Sequence, residues 1–132
     1  MEHIDLLKEA KQASLNSYAP YSKFKVGAAL LLDNGKVITG VNVENASFGA
    51  TNCAERTALF TSITKGYSKE NIKAMAIYAN TDDLISPCGI CRQVMDELLT
   101  SKCDIILGNN KLEYKVFKKE DLLPSAFDNK VL

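Results

Sequence analysis

Two cysteine motifs limit this chain more than any other feature: Cys53-Ala54-Glu55-Arg56, and Pro87-Cys88-Gly89-Ile90-Cys91-Arg92-Gln93. Each opens a segment of helical pattern, and a predicted strand lies between them. Three thiolates fill three corners of a zinc tetrahedron and leave the fourth for water. To meet at one ion, the starts of two helices must converge at one end of a sheet. A helix N-terminus also favours the thiolate over the thiol.

Glu55 follows the first cysteine by two residues, so it cannot share that cysteine's helix face. That suits a base facing a substrate rather than a fourth ligand. Three thiolates on Zn²⁺ sum to a formal charge of minus one, which weakens the metal as a Lewis acid. Arg56 is the counterweight, because a guanidinium donating to a ligand sulfur withdraws charge from it. Taken singly, Glu55 would only stabilise a helix dipole and Arg56 would be a surface residue. Two other arrangements compete for the cysteines. A redox Cys-x-x-Cys pair also starts a helix, but needs neither Cys53 nor Glu55. A closed four-cysteine zinc would need Cys103, which the third predicted helix holds roughly 15 Å away at 1.5 Å per residue. Cys103 reads instead as a small buried apolar residue.

The pattern around these motifs is αββαβαββ. Asp5 to about Ser17 is helical, with Leu6, Leu7, Ala10 and Ala13 on one side. Phe24 or Lys25 to Leu32 and Lys36 to about Val43 are strands joined at Asp33-Asn34-Gly35, a hairpin turn, so they pair antiparallel. Glu44 to Asn52 is a polar loop suited to lining a site. The second helix runs from Cys53 to about Thr64, with Ala54, Ala58, Leu59 and Ile63 for burial. Ile72 to Ala79 is almost continuously apolar, as a central strand covered on both faces would be. Cys88 to Leu99 is the third helix. Asp104–Leu107 and Leu112–Phe117 form a second antiparallel pair, and Glu120 to Leu123 one short turn. Helices linking parallel strands give a layered α/β domain with a mixed sheet. Ligands then bind at the carboxyl ends of the strands, where all three motif cysteines fall.

The 132 residues suit one domain, spanning 1–132. No apolar run approaches the ~20 residues that cross a bilayer, and the start of the chain shows no secretory signal, so a cytoplasmic protein is expected. Lys plus Arg and Asp plus Glu both number 16, which favours a small substrate over a nucleic-acid backbone. The one histidine, His3, is expected to be a solvated terminal residue, leaving no basis for a histidine triad.

With these residues in place, the chain resembles the small homotetrameric, zinc-dependent cytidine deaminases. The resemblance rests on both cysteine motifs, and also on Tyr18-Ala19-Pro20-Tyr21-Ser22-Lys23-Phe24, Gly40 to Phe48, and Leu122-Leu123-Pro124-Ser125-Ala126-Phe127. It covers nearly the whole chain in the family's order. It implies a three-layer α/β/α fold with a five-stranded mixed sheet, and one Zn²⁺ per chain held by Cys53, Cys88 and Cys91. Glu55 would shuttle protons in the conversion of cytidine and 2′-deoxycytidine to uridine and 2′-deoxyuridine, a step of pyrimidine salvage. Asn42 and Glu44 would bond the ribose hydroxyls, and Phe24 would pack on the pyrimidine. Ala46, Phe48 and Phe127 would reach a neighbouring subunit's site in a homotetramer. Ile90 departs from the small residue frequent at its position. Three rival functions remain: an antibiotic deaminase with the same zinc core, disfavoured by the Asn42-x-Glu44 pair; a polynucleotide deaminase, disfavoured by the neutral charge; and a non-catalytic zinc scaffold, disfavoured by Glu55.

Overall fold

The computed structural model of the chain describes residues 1–128. Helices α1 (His3–Ser14), α2 (Ala54–Thr64), α3 (Gly89–Leu98) and the short α4 (Lys119–Leu122) pack on strands β1 (Val26–Leu32), β2 (Val37–Val41), β3 (Ile72–Ala79), β4 (Asp104–Gly108) and β5 (Tyr114–Phe117). The strand order is β2-β1-β3-β4-β5. β1 pairs antiparallel with both β2 and β3, β3 with β4 in parallel, and β4 with β5 antiparallel. Both α2 and α3 therefore connect parallel strands, as the pattern predicts.

β3 shows how sequence builds the layers. Met75, Ile77 and Ala79 face the core under α2, α3 and α4, where Ala58, Leu59, Met95 and Leu122 also lie. The alternate residues Ala74, Ala76 and Tyr78 join Leu6, Leu7 and Ala10 of α1 on the other face. A strand with a helix on each side must be apolar at every step. The result is the expected three-layer α/β/α arrangement around a five-stranded mixed sheet.

Close approach of α1 to the sheet depends on Gly27. A Cβ built there would lie 1.9 Å from the Ala10 carbonyl oxygen, which is backbone and cannot turn aside. Gly27→Ala is expected to cost roughly 3 kcal/mol, the upper end for overpacking. Thermal melting should show this as a fall in Tm of roughly 10 °C; an unchanged Tm would mean that α1 is free to shift.

Four expectations need correction. α1 ends at Ser14, not Ser17, and its last buried residue is Ser14, whose Oγ donates to the Lys11 carbonyl at 2.6 Å. Ile63 is 49% exposed, and Ser62 takes the buried place on α2. β5 starts at Tyr114, because Leu112 adopts a left-handed backbone with φ of 61° in the turn after β4. His3 does not fray: its Nε2 lies 3.1 Å from Asp104 Oδ2, and its ring meets the Tyr114 ring edge-on.

Candidate active site

α2 and α3 each begin with a motif cysteine in extended conformation at the N-cap, Cys53 and Cys88. At Cys88 the extended N-cap turns the sulfur back toward the start of α3. Cys91, one turn into α3, is fully buried and completes the group; its backbone N–H donates to Cys88 Sγ at 3.4 Å. All three sulfurs lie within 4.8 Å of one another, and Cys53 and Cys88 are 3.8 Å apart. Zinc–sulfur bonds of about 2.3 Å at tetrahedral angles place sulfurs about 3.8 Å apart. The donor set therefore fits one zinc ion. Cys103 stays outside the group. It is buried in the core, and burial pushes its thiol up to about 12.

A hydrogen bond from the Cys91 thiol, reinforced by Arg56, holds the Cys53 thiol below its usual range against the opposing effect of burial. Arg56 Nη2 donates to Cys53 Sγ at 3.3 Å, the contact expected of a charge-compensating guanidinium. Arg56 Nε is buried without a hydrogen-bond partner among the described residues. The side chain thus gives up solvation to stay beside sulfur.

Glu55 is 5% exposed, in the first turn of α2. Burial pushes its carboxyl up to about 7, with the Cys53 charge adding to the effect and Arg56 opposing it. A carboxyl that titrates near neutrality can both accept and return a proton.

Glu55, Cys53 and Cys88 line one cavity of about 390 Å³, together with Phe24, Asn42 and Glu44. The cavity opens beyond the carboxyl ends of β2 and β3, where α2 starts, as the pattern predicts. Six of the expected site residues are thus brought together. Asn42 is buried, and its amide serves the protein: Oδ1 accepts from Val26 N–H at 3.0 Å, and Nδ2 donates to the Phe24 carbonyl at 2.7 Å. One Nδ2 hydrogen is left over for a ligand. Glu44 Oε1 accepts from the backbone N–H groups of Tyr21 and Ser22, both at 3.1 Å. The Ser22 hydroxyl also donates to Glu44 Oε2, and this bond first, then the backbone one, holds the carboxyl below its usual range. Ala46, Phe48 and Phe127 do not line the cavity. All three are exposed, Phe48 at 85% and Phe127 at 59%.

The motifs alone do not reveal Ser22. Its Oγ accepts from Phe24 N–H at 3.0 Å while donating to Glu44, so one hydroxyl fixes two cavity residues. Its place in the Tyr18–Phe24 segment, two residues before Phe24, is the sequence signal for it. Ile85 and Ser86 also line the cavity from the irregular loop before Cys88. No periodic pattern marks such a loop.

Fold and site together define a zinc-binding α/β enzyme. The chain belongs to the cytidine and deoxycytidylate deaminase family, whose zinc-binding-region model matches residues 1–107. It is 48% identical over 127 residues to the cytidine deaminase of Halalkalibacterium halodurans, covering 96% of this chain and 95% of that one. A crystal structure of cytidine deaminase from Burkholderia pseudomallei superposes with a TM-score of 0.92 at 50% identity, covering 96% of this chain and all of the other. One from Mycobacterium tuberculosis gives a TM-score of 0.82 at 37% identity, covering 97% of this chain and 98% of that one.

Proposed function

We propose that this protein hydrolyses cytidine and 2′-deoxycytidine to uridine and 2′-deoxyuridine, releasing ammonia. One observation carries the reading: three sulfurs are spaced for a single zinc, and two of them, on Cys53 and Cys88, line one cavity with the buried carboxylate of Glu55. Bound at Cys53, Cys88 and Cys91, zinc supplies the Lewis acidity that brings a water's pKa toward neutrality.

The remaining work falls to the chain. Glu55 takes a proton from the attacking water and gives it to N3 of the pyrimidine, which makes C4 electrophilic. Once the water oxygen has added to C4, Glu55 moves the remaining proton of that hydroxyl to the exocyclic amine, so that the C4–N bond breaks, ammonia leaves and a C4 carbonyl remains. A carboxyl held near pH 7 by burial suits both directions of transfer. Arg56 offsets the negative charge on sulfur. Phe24 packs on the pyrimidine, and Glu44 with the free Nδ2 hydrogen of Asn42 bonds the ribose hydroxyls. Glu44 is already fixed by three donors, so little ordering remains for binding.

A homotetramer completes the reading, with Ala46, Phe48 and Phe127 reaching a neighbour's cavity. The exposure of Phe48 and Phe127, and of Phe60 and Ile63 on α2, supports self-association. The reading includes a cytoplasmic place in pyrimidine salvage, with which a free nucleoside as substrate is compatible.

The test is product analysis. The purified, zinc-loaded chain should convert cytidine to uridine with one ammonia released per uridine. Conversion of an antibiotic cytosine but not of cytidine would overturn the substrate assignment while keeping the chemistry.

A further inference from the structure

Arg92 and Gln93 follow Cys91 directly, yet neither faces the metal site. Arg92 Nε donates to the Pro87 carbonyl at 2.8 Å, and Arg92 Nη1 donates to the Leu122 carbonyl at 2.7 Å. Gln93 Nε2 donates to the Phe127 carbonyl at 2.8 Å. Adjacent residues of α3 thus grip the buried peptide that enters Cys88 and, on the other side, two points of the C-terminal segment.

The loop that delivers Cys88 needs such a grip. It runs irregularly from Asn80 to Cys88, and Cys88 itself is exposed. Its far end is pinned at Asp82, whose carbonyl accepts from Asn109 Nδ2 at 2.7 Å and whose carboxylate accepts from Asn110 Nδ2 at 2.9 Å. Its near end is pinned at Pro87 by Arg92. The guanidinium is in turn braced by α4, which Lys119 fastens to α3 through the Asp96 carbonyl at 2.6 Å. A planar fork can serve two carbonyls at fixed angles, whereas an ammonium is a point donor.

We propose that Arg92 is a positioning residue for the metal centre: it locks the Cys88 peptide to the C-terminal segment, so that retention of zinc depends on a tail that supplies no ligand. Gln93 extends the same brace to Phe127. The proposal rests on the reading of Cys88 as a ligand.

The test is the rate at which zinc leaves the purified full-length holoenzyme to a chromophoric chelator, measured for wild type, Arg92→Lys, Gln93→Ala and Ile106→Val. Ile106 packs against α1 on the far face of the sheet, so its variant controls for stability alone. Outer partners of metal ligands typically change metal affinity roughly 10–100-fold. Arg92→Lys should release zinc at least about 10-fold faster, Gln93→Ala should fall between it and wild type, and Ile106→Val should match wild type. Should Arg92→Lys not fold, Arg92→Gln, which keeps part of the donor set, takes its place with the same expectation. Release from the Arg92 variant no faster than from Ile106→Val would overturn the proposal. A wild-type chain that holds no zinc would overturn the metal-centre reading itself, and that outcome is seen before any variant is compared.

Discussion

Glu55→Gln is expected to keep its zinc and lose roughly 10²–10⁴-fold in kcat for cytidine, the range that a positioned general acid–base supplies. The amide fills the same buried space but can neither take the water's proton nor return one to N3 or the amine. Zinc content by atomic absorption should stay at one per chain, because Glu55 is not among the three sulfur donors. Turnover near that of wild type would remove Glu55 from the mechanism.

The same substitution should stabilise the metal-free protein. Burial raises the Glu55 carboxyl from 4.5 to about 7, so the native state holds a proton that the unfolded chain has released across that window. The Glu55 contribution to the stability of the metal-free wild type therefore falls as pH rises from 4.5 to 7, and its full penalty persists above 7. A shift of that size is worth about 3 kcal/mol. The neutral glutamine escapes it. Urea unfolding of the metal-free proteins should show the variant ahead of wild type at pH 8, with the advantage gone by about pH 4.5. Equal stability at pH 8 would mean that Glu55 is relieved of its charge in some other way.

Cys53→Ala is expected to lose both zinc and activity. Two remaining sulfurs, Cys88 and Cys91, leave half a tetrahedron. The change also removes the sulfur that accepts from Arg56 Nη2 at 3.3 Å, while Arg56 Nε is already buried without a partner among the described residues. Retention of one zinc per chain in Cys53→Ala would strike Cys53 from the ligand set.

Much of the fold was legible where one physical demand governed each residue. β3 had to be apolar at every step because a helix covers each face, and its predicted span matches the observed Ile72–Ala79. The two helix starts were legible because a metal site needs converging thiolates. Where two demands competed, the pattern misled. Ile63 is apolar and close to helical spacing, but it is 49% exposed, and the smaller Ser62 is buried instead, its hydroxyl satisfied by the Leu59 carbonyl at 2.7 Å. His3 looked terminal in sequence because nothing local announces Asp104, roughly a hundred residues on. The site was legible in its ligands and its carboxylate, which carry fixed spacing. It was not legible in Ser22, whose hydroxyl joins Phe24 N–H to the Glu44 carboxylate, in Ile85, which lines the cavity from an irregular loop, or in Arg92, which bonds the Pro87 and Leu122 carbonyls; none of these contacts follows a sequence period.

The most direct test of the central claim is the rate of cytidine conversion, followed by ultraviolet absorbance, as zinc is added to the metal-free chain from zero to two equivalents. The account predicts a rise in proportion to zinc that stops at one equivalent per chain. A folded chain carrying one zinc that leaves cytidine untouched, or a rate indifferent to zinc, would contradict it.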